Sequence, residues 1–272
     1  MPITIANGID LYFERRGDGA PLLFISGSHG DLRARPNQFD TPLARAFDMI
    51  AYDQRGLGQT GKPPGEYTMA QYADDAAALL DALRLDAVPV VGVSFGGMVA
   101  QEFALRHPDR VDRLILACTS SGGAGGSSYP LHELQALPPR ERAEAHLRIS
   151  DLRHDDEWVA ANPERWERLV ELTMAARRPD RDEQGAAKQL RARKGHDTYD
   201  RLPRLDVPVL LAGGRRDGIA PVANMEALHR QIAGSRFELF DGGHMFLIQD
   251  KTAYPFIVGW LQNDWSELRD EP

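Results

Sequence analysis

One stretch, Val88–Ala100 (VPVVGVSFGGMVA), constrains the fold of this chain more than any other. It begins with a short apolar run rich in valine, which is typical of a strand buried on both faces. It then passes through a G-x-S-x-G pattern centred on Ser94 and continues into a predicted helix, Met98–Leu105. A strand, a sharp turn and a helix are the setting in which this pattern exposes a serine hydroxyl.

The glycines of this pattern have a physical reason. Ser94 needs a strained backbone for its hydroxyl to stand clear of the sheet, and side chains at Gly92 and Gly96 would collide with neighbouring elements. The amide of Phe95 then lies at a helix N-terminus, where unpaired N–H groups favour an oxyanion. A glycine-rich turn whose serine hydroxyl is only hydrogen-bonded would show the same five-residue pattern. The rest of the chain must therefore distinguish a nucleophilic serine from a structural one.

The remaining chain alternates strands with helices, which predicts a doubly wound, mostly parallel α/β sheet. The other predicted strands are Ile3–Ala6, Leu11–Arg15, Pro21–Ser26, Asp48–Asp53, Arg113–Thr119, Val207–Gly214 and Arg236–Asp241. The other predicted helices of this part are Pro42–Ala46, Tyr67–Leu83 with Thr68 as its cap, Val222–Ile232 and Tyr254–Leu268.

The alternation stops at Ser120. Ser120–Ser128 (SSGGAGGSS) is typical of a flexible hinge, and no strand is predicted from there to Arg204. Three helices are predicted in this region: Arg140–Ile149, Asp156–Arg177 and Glu183–Lys194. The sequence therefore predicts a core formed by residues 1–120 and 205–272, with residues 121–204 inserted as a helical cap.

Composition narrows the classes of partner. A net charge of −8 disfavours nucleic acid, since phosphate binding requires a basic face. No apolar run approaches the ~18 residues that span a bilayer, and the N-terminal segment lacks the pattern of a secretory signal. We therefore expect a cytoplasmic protein that associates with neither membrane nor nucleic acid. The single cysteine, Cys118, lies in an apolar run and is expected to be a small buried hydrophobe.

A nucleophilic serine needs a base, and the base needs an acid that orients it. Asp217 follows the predicted strand that ends at Gly214, and His244 follows the one that ends at Asp241. The carboxyl ends of parallel strands meet at one edge of a sheet, so both side chains can reach Ser94. Asp241 and Asp250 are alternative acids, although neither follows the neighbouring strand.

The order Ser94, Asp217, His244 resembles the α/β-hydrolase superfamily, and the likeness covers nearly the whole chain. The segment FISGSHG occupies the place of the family's oxyanion motif, with Ser26 where histidine is usual. By position, the resemblance implies that the backbone N–H of Ser28 is a second oxyanion donor beside that of Phe95. The segment DQRGLG, which begins at Asp53, resembles a family motif that is usually structural.

Two other chemistries are suggested by short patterns and are disfavoured. The segment GLGQTG, starting at Gly56, matches G-x-G-x-x-G, and with Lys62 it matches most of a phosphate-binding P-loop. Pro63 stands where the P-loop needs Ser or Thr, and Pro63-Pro64 prevent a helix from continuing through the glycines. Metal hydrolysis lacks its pattern as well, because no H-E-x-x-H is present. We therefore expect neither cofactor nor metal.

Candidate substrate-binding residues lie beside the catalytic motifs, after the glycine hinge and within the predicted cap. They are Gly27, His29, Tyr129, Trp166 and Met245. The alternative for His29 is exposure to solvent. The alternative for Trp166, as for Trp158 and Met174, is packing within the cap. The remaining histidines are expected at the surface: His107, His132, His146, His154, His196 and His229.

The resemblance implies a metal-free serine hydrolase that cleaves a small-molecule carboxylic ester or lactone through an acyl-enzyme. Esterases, enol-lactonases and acyl-homoserine lactonases are the favoured branch. Carbon–carbon bond hydrolases and cofactor-free haloperoxidases of the same fold are the alternatives. A non-catalytic small-molecule receptor on this fold is the alternative from another class. The oligomeric state is left open.

Overall fold

The computed structural model describes residues 2–263 except 177 and 179. Within these residues the chain forms one eight-stranded sheet in the order β1-β2-β4-β3-β5-β6-β7-β8. The strands are β1 (Ile3–Ala6), β2 (Ile9–Arg16), β3 (Pro21–Ile25), β4 (Asp48–Tyr52), β5 (Val88–Val93), β6 (Val111–Ala117), β7 (Val209–Gly214) and β8 (Arg236–Phe240).

The sheet is parallel from β4 to β8, and only β1–β2 and β2–β4 pair antiparallel. The centrally placed β5 pairs Gly92 with Ile25 of β3 and Val93 with Ala117 of β6. The loops that follow β3, β5, β7 and β8 therefore leave the same edge of the sheet. The predicted doubly wound, mostly parallel fold is confirmed.

Helices cover both faces of this sheet. Those of the core region are α1 (Leu43–Ala46), α2 (Met69–Ala82), α3 (Phe95–Arg106), α8 (Val222–Gln231), α9 (Phe246–Gln249) and α10 (Ala253–Gln262). Alternate residues of β5 point to opposite faces. Val90 packs in the cluster that contains Phe103 of α3, and Val91 packs in the cluster that contains Trp260 of α10. The valine-rich strand is thus buried on both faces, as its composition predicts.

Between β6 and β7 the described residues form helices and short turns, with one isolated bridge between Gly122 and Asp197. The helices are α4 (Pro139–Ser150), α5 (Asp156–Ala161), α6 (Pro163–Ala175) and α7 (Glu183–Lys194). The prediction of a single helix over 156–177 is wrong, because Asn162 leaves the helical conformation and Pro163 begins a new helix. That residues 121–204 form a distinct cap domain stays a prediction, and we use the name cap for them below.

Other boundaries also differ from expectation. The elbow helix begins at Phe95 rather than Met98, directly after Ser94. The last helix is described to Gln262, and residues 264–268 of its predicted extent lie outside the described residues, as does Arg177. None of the described helices combines the length and apolarity needed to cross a membrane.

The glycine segment at the start of the cap is tightly packed. Gly122 has a φ of +69°, and a Cβ there would lie 1.9 Å from the carbonyl oxygen of His196. Ser121 accepts a hydrogen bond from the Thr198 N–H at 2.8 Å. Close backbone approach thus explains the glycine at this position without appeal to a hinge.

Candidate active site

Ser94 occupies a sharp turn between β5 and α3, with φ 56° and ψ −117°. This backbone conformation is rarely populated by residues other than glycine, and such strain persists only where the surroundings enforce it. A Cβ on Gly92 would lie 2.5 Å from the Gly96 carbonyl oxygen, and one on Gly96 would lie 2.0 Å from that of Ile25. The two glycines of the pattern therefore allow the turn to pack against β3.

Ser94, Asp217 and His244 lie together at this edge of the sheet, although 150 residues separate the serine from the histidine. The Nε2 atom of His244 is 2.9 Å from Ser94 Oγ. Its Nδ1 atom is 2.7 Å from Asp217 Oδ2. The other carboxylate oxygen of Asp217 accepts the N–H groups of Ile219 at 2.8 Å and Ala220 at 2.9 Å.

These contacts determine the direction of the hydrogen bonds. A carboxylate can only accept, so His244 carries its proton on Nδ1 and donates it to Asp217. Its Nε2 atom is then an acceptor for the Ser94 hydroxyl. The side chain of Asp217 is fully buried and that of His244 is 11% exposed, so solvent screens this chain of contacts weakly. The alternative acids Asp241 and Asp250 instead contact each other, since the Asp241 N–H donates to Asp250 Oδ2 at 2.8 Å.

Cys118 lies beside this group. Its sulfur and ligand atoms of Asp217 and His244 all lie within 4.8 Å of one another, which makes them a possible metal-binding group among the described residues. Cys118 is buried as predicted, and burial raises the pKa of its thiol well above the ordinary value, with the Asp217 charge adding to the effect. The thiol is therefore protonated near neutral pH and is a poor metal ligand in that form.

The loop after β3 lies against the serine. A Cβ on Gly27 would be 3.5 Å from Ser94 Cβ and 3.4 Å from the Val93 carbonyl oxygen. Ser28 follows in a turn that is closed by the Gly30 N–H, which donates to the Gly27 carbonyl at 3.3 Å. Phe95 is the first residue of α3, so its N–H has no intrahelical partner. That the N–H groups of Ser28 and Phe95 bind an oxyanion stays a prediction.

Comparison with known proteins agrees with this arrangement. Residues 20–251 match the family model described as alpha/beta hydrolase fold. The chain belongs to the alpha/beta hydrolase fold family. It is 30% identical to the poly(3-hydroxyalkanoate) depolymerase of Ectopseudomonas oleovorans over 90% of this chain and 85% of that one. It is 32% identical to the 2-hydroxymuconate semialdehyde hydrolase of a Pseudomonas species over 94% of this chain and 91% of that one.

The fold of this chain is also found in solved structures. The enol-lactonase from Burkholderia xenovorans superimposes with a TM-score of 0.77 at 23% sequence identity, covering 97% of this chain and all of the other. Membership of this family makes the chain a hydrolase in the broad sense. The reaction and substrate need an argument from the site itself.

In this alpha/beta hydrolase, two glutamines join the cap to the loop after β3. Gln189 of α7 is fully buried, and its Oε1 accepts the His29 N–H at 2.8 Å. Its Nε2 lies 3.4 Å from Gln54 Oε1, and Gln54 in turn donates to the Ser26 carbonyl at 2.5 Å. Gln54 and Gln189 thus support the loop that has Ser26 in place of the usual histidine. Neither is evident from sequence, because their meeting depends on how the cap packs.

The end of α4 and the residues after it contact the other side of the site. The Gly218 N–H donates to the Ile149 carbonyl at 2.9 Å, and the Leu152 N–H donates to the Arg216 carbonyl at 2.9 Å. A third bond runs from the His244 N–H to the Ser150 carbonyl at 2.6 Å. Residues 149–152 therefore hold the loops that carry Asp217 and His244. No sequence pattern indicates these contacts, since they involve backbone atoms alone.

Three of the predicted substrate-binding residues besides Gly27 lie near these loops. His29 contacts Gln189 as described above, and Met245, which follows His244, is 51% exposed. The Tyr129 N–H donates to the Ile219 carbonyl at 2.7 Å, two residues beyond Asp217. Trp166 lies within the cap, and its role in substrate binding stays a prediction. It is 7% exposed and packs with Ala143 and Val170 in an apolar cluster of the cap itself.

Two of the histidines predicted at the surface have a pKa that burial lowers. His196 is 4% exposed, and burial lowers its pKa to about 4. His146 of α4 is half-buried, with Nδ1 3.3 Å from Ser150 Oγ. Its pKa is lowered to about 4, mainly by burial and also by its proximity to His244. His146 is therefore neutral near pH 7 and lies one helical turn from the residue that accepts the His244 N–H.

The DQRGLG segment has a structural role. Asp53 accepts the N–H groups of Leu32 at 2.7 Å and Gln59 at 2.8 Å, and burial raises its pKa to about 6. Arg55 forms a buried bidentate pair with Asp75, at 2.6 and 2.9 Å. The next helix begins only at Met69, so the glycines lack the helix N-terminus on which phosphate binding depends.

Proposed function

We propose that the chain is a serine hydrolase that cleaves a carboxylic ester or lactone through an acyl-enzyme. The observation that carries the proposal is the contact of His244 with both Ser94 Oγ, at 2.9 Å, and Asp217 Oδ2, at 2.7 Å. A nucleophile, a base and an orienting acid within hydrogen-bond reach are the geometric signature of nucleophilic catalysis. The enol-lactonase and depolymerase names among its relatives support the ester or lactone class.

In the first half of the reaction, His244 Nε2 accepts the Ser94 proton while Oγ forms a bond to the carbonyl carbon. The oxygen of the tetrahedral intermediate accepts hydrogen bonds from the N–H of Phe95, at a helix N-terminus that favours negative charge, and from the N–H of Ser28 in the loop after β3. The imidazolium then gives its proton to the departing alkoxide as the ester bond breaks. For a lactone, the same step opens the ring.

In the second half, water gives a proton to His244 and attacks the acyl carbon. Collapse of the intermediate breaks the bond to Ser94, whose oxygen recovers the proton from the imidazolium, and the carboxylic acid is released. Asp217 stays ionised and stabilises the imidazolium in both halves. No step requires a metal or a cofactor, so added chelator is expected to leave turnover unchanged.

The decisive experiment is labelling with a fluorophosphonate, which reacts with an activated serine. We expect the wild-type protein and Ser235→Ala to be labelled, because Ser235 precedes β8 and so lies at the opposite edge of the sheet. Ser94→Ala should remain unlabelled and lose about a million-fold in turnover of an aryl ester. An unlabelled wild-type protein would instead favour a non-catalytic receptor, and equal labelling of Ser94→Ala would remove Ser94 from the mechanism.

A carbon–carbon bond hydrolase is the second candidate, because the semialdehyde hydrolase is among the relatives. The two functions differ in their products. Turnover of aryl esters and of a panel of lactones supports the first, whereas turnover of a vinylogous diketone with neither esters nor lactones accepted supports the second. The Ser94→Ala variant serves as the blank in both assays.

A further inference from the structure

Arg193 of α7 is a buried cation that has no carboxylate partner among the residues the structure describes. Two arginines are buried in the described part of the chain, Arg55 and Arg193. Arg55 pairs with Asp75, at 2.6 Å. Among the described residues, no carboxylate lies within ion-pair distance of Arg193, which is 7% exposed. A buried charge is costly unless it is paired, so its presence needs a reason.

The contacts of Arg193 with the protein are incomplete. Its Nη1 donates to the Tyr129 carbonyl at 2.8 Å and its Nη2 donates to Ser128 Oγ at 2.7 Å. Its Nε is buried and finds no acceptor in the described part of the chain. Burial alone lowers the pKa of this guanidinium to about 10, and it remains charged near pH 7. Tying residues 128 and 129 to α7 thus explains two of its five N–H donors, but neither the charge nor the buried Nε–H.

The position of Arg193 relates it to the candidate active site. Gln189, one helical turn earlier, accepts the His29 N–H at 2.8 Å on one side of Ser94. Leu190 packs with Ile219, which follows Asp217 by two residues, on the other side. Tyr129, whose carbonyl Arg193 binds, donates its own N–H to Ile219 at 2.7 Å. The guanidinium therefore lies in the layer between the cap and the core, next to the loop that carries Asp217.

We propose that Arg193 binds an anionic group of the substrate, so that the preferred substrate is an ester or lactone that also carries a carboxylate. This inference rests on the proposed function and names its substrate class. A guanidinium presents planar donors that match a carboxylate, and Nε is one of the donors used in bidentate pairing. Since the arginine is already buried, pairing satisfies its charge with little additional desolvation on the protein side.

The test compares two aryl esters that differ only in whether the distal carboxylate is free or capped. These are the mono-4-nitrophenyl ester of glutaric acid and the same compound with its free carboxylate capped as a methyl ester. The wild-type protein is expected to prefer the carboxylate in kcat/KM by on the order of 100-fold, the range for a hydrogen bond to a charged group. Arg193→Met should abolish that preference while hydrolysing the capped ester, and Arg193→Lys should retain part of it.

The matched control is Arg191→Met on the same helix. Arg191 is exposed and pairs with Glu66 at 2.7 Å, so its loss should leave the preference unchanged. Equal turnover of both esters by the wild-type protein would overturn the inference while leaving the proposed function intact. Equal loss of both esters in a folded Arg193→Met protein would also overturn it, since the role of Arg193 would then be structural.

A measurement on the unmodified protein covers the case in which Arg193→Met does not fold. Glutarate should inhibit hydrolysis of the capped ester competitively, and glutaramide, its uncharged analogue, should inhibit on the order of 100-fold more weakly. Equal inhibition by the two would overturn the inference. If the wild-type protein hydrolyses neither ester and Ser94 is not labelled by the fluorophosphonate, the proposed function fails and the inference fails with it.

Discussion

The backbone N–H of His244 donates to the carbonyl of Ser150 at 2.6 Å, which joins the proposed catalytic base directly to the cap. The residue before it, Gly243, lies so close to the same carbonyl that a Cβ there would approach it to 2.0 Å. Residues 149–152 therefore support the histidine loop as well as cover it. A cap that moved away as a whole on this side would break this bond and release the loop.

Substitution of Gly243 by alanine is expected to lower kcat about 100-fold, because a displacement of ~1 Å at the reacting groups has an effect of that size. The added methyl group must push the histidine loop away from Ser150. Gly259→Ala is the control, since a Cβ there meets no atom within 4 Å. Steady-state kinetics with an aryl ester, together with thermal unfolding of both variants, provides the measurement. Unchanged kcat in a folded Gly243→Ala protein would contradict the supporting role of Ser150.

The sequence predicts the part of the site that lies on the sheet. Ser94, Asp217 and His244 each follow a strand, and parallel strands bring their carboxyl ends to one edge, so spacing along the chain suffices. The contacts of the cap are different. Gln189 reaches His29 only because α7 packs over the loop after β3. Helical periodicity does not specify the position of a helix on the core.

The packing of the cap also explains the positions of Trp166 and His196. Trp166 is an aromatic residue on an amphipathic helix, and such a residue can face either a substrate or the neighbouring helices of the cap; the structure places it among the latter. His196 lies in a polar stretch of sequence, which suggests exposure. It is 4% exposed, at a place where Gly122 allows two backbone segments of the cap to approach each other closely. Neither fact is encoded within a short window of residues.

The buried pair of Arg55 and Asp75 should contribute more to the free energy of unfolding than the exposed contacts of the adjacent residue, Asp74. Asp75→Ala leaves the Arg55 charge buried and unpaired, which is expected to lower the free energy of unfolding by roughly 3–5 kcal/mol. Asp74→Ala is the control, because Asp74 is 32% exposed and contacts Arg106 and His107 near the surface, where roughly 0–1 kcal/mol per pair is expected. Urea unfolding at pH 7 measures both. Equal losses in the two variants would show that burial of the pair has no special effect.

Gln189 should influence catalysis through the loop after β3. Gln189→Met keeps the size of the side chain but removes the oxygen that accepts the His29 N–H. We expect kcat to fall roughly 10-fold with a smaller change in KM, since losing one buried hydrogen bond costs about 1–3 kcal/mol and part of this cost is relieved by local movement. Gln184→Met, at an exposed position of the same helix, is the control. A Gln189→Met protein that changes KM alone would place Gln189 in substrate binding instead.

His196 should make the protein less stable in mild acid. Burial lowers its pKa from 6.5 to about 4, and the charged groups facing it are Glu102, Asp197 and Arg201. Between pH 6.5 and pH 4 the unfolded chain therefore binds a proton that the folded chain does not, so the free energy of unfolding falls as the pH falls through this window. The loss from this residue is about 3 kcal/mol by pH 4.

In His196→Leu, urea unfolding at several pH values should show a pH dependence weaker by about this amount. His229→Leu, at an exposed position, is the control substitution. The same acid sensitivity in His196→Leu as in the wild-type protein would assign the effect to other groups.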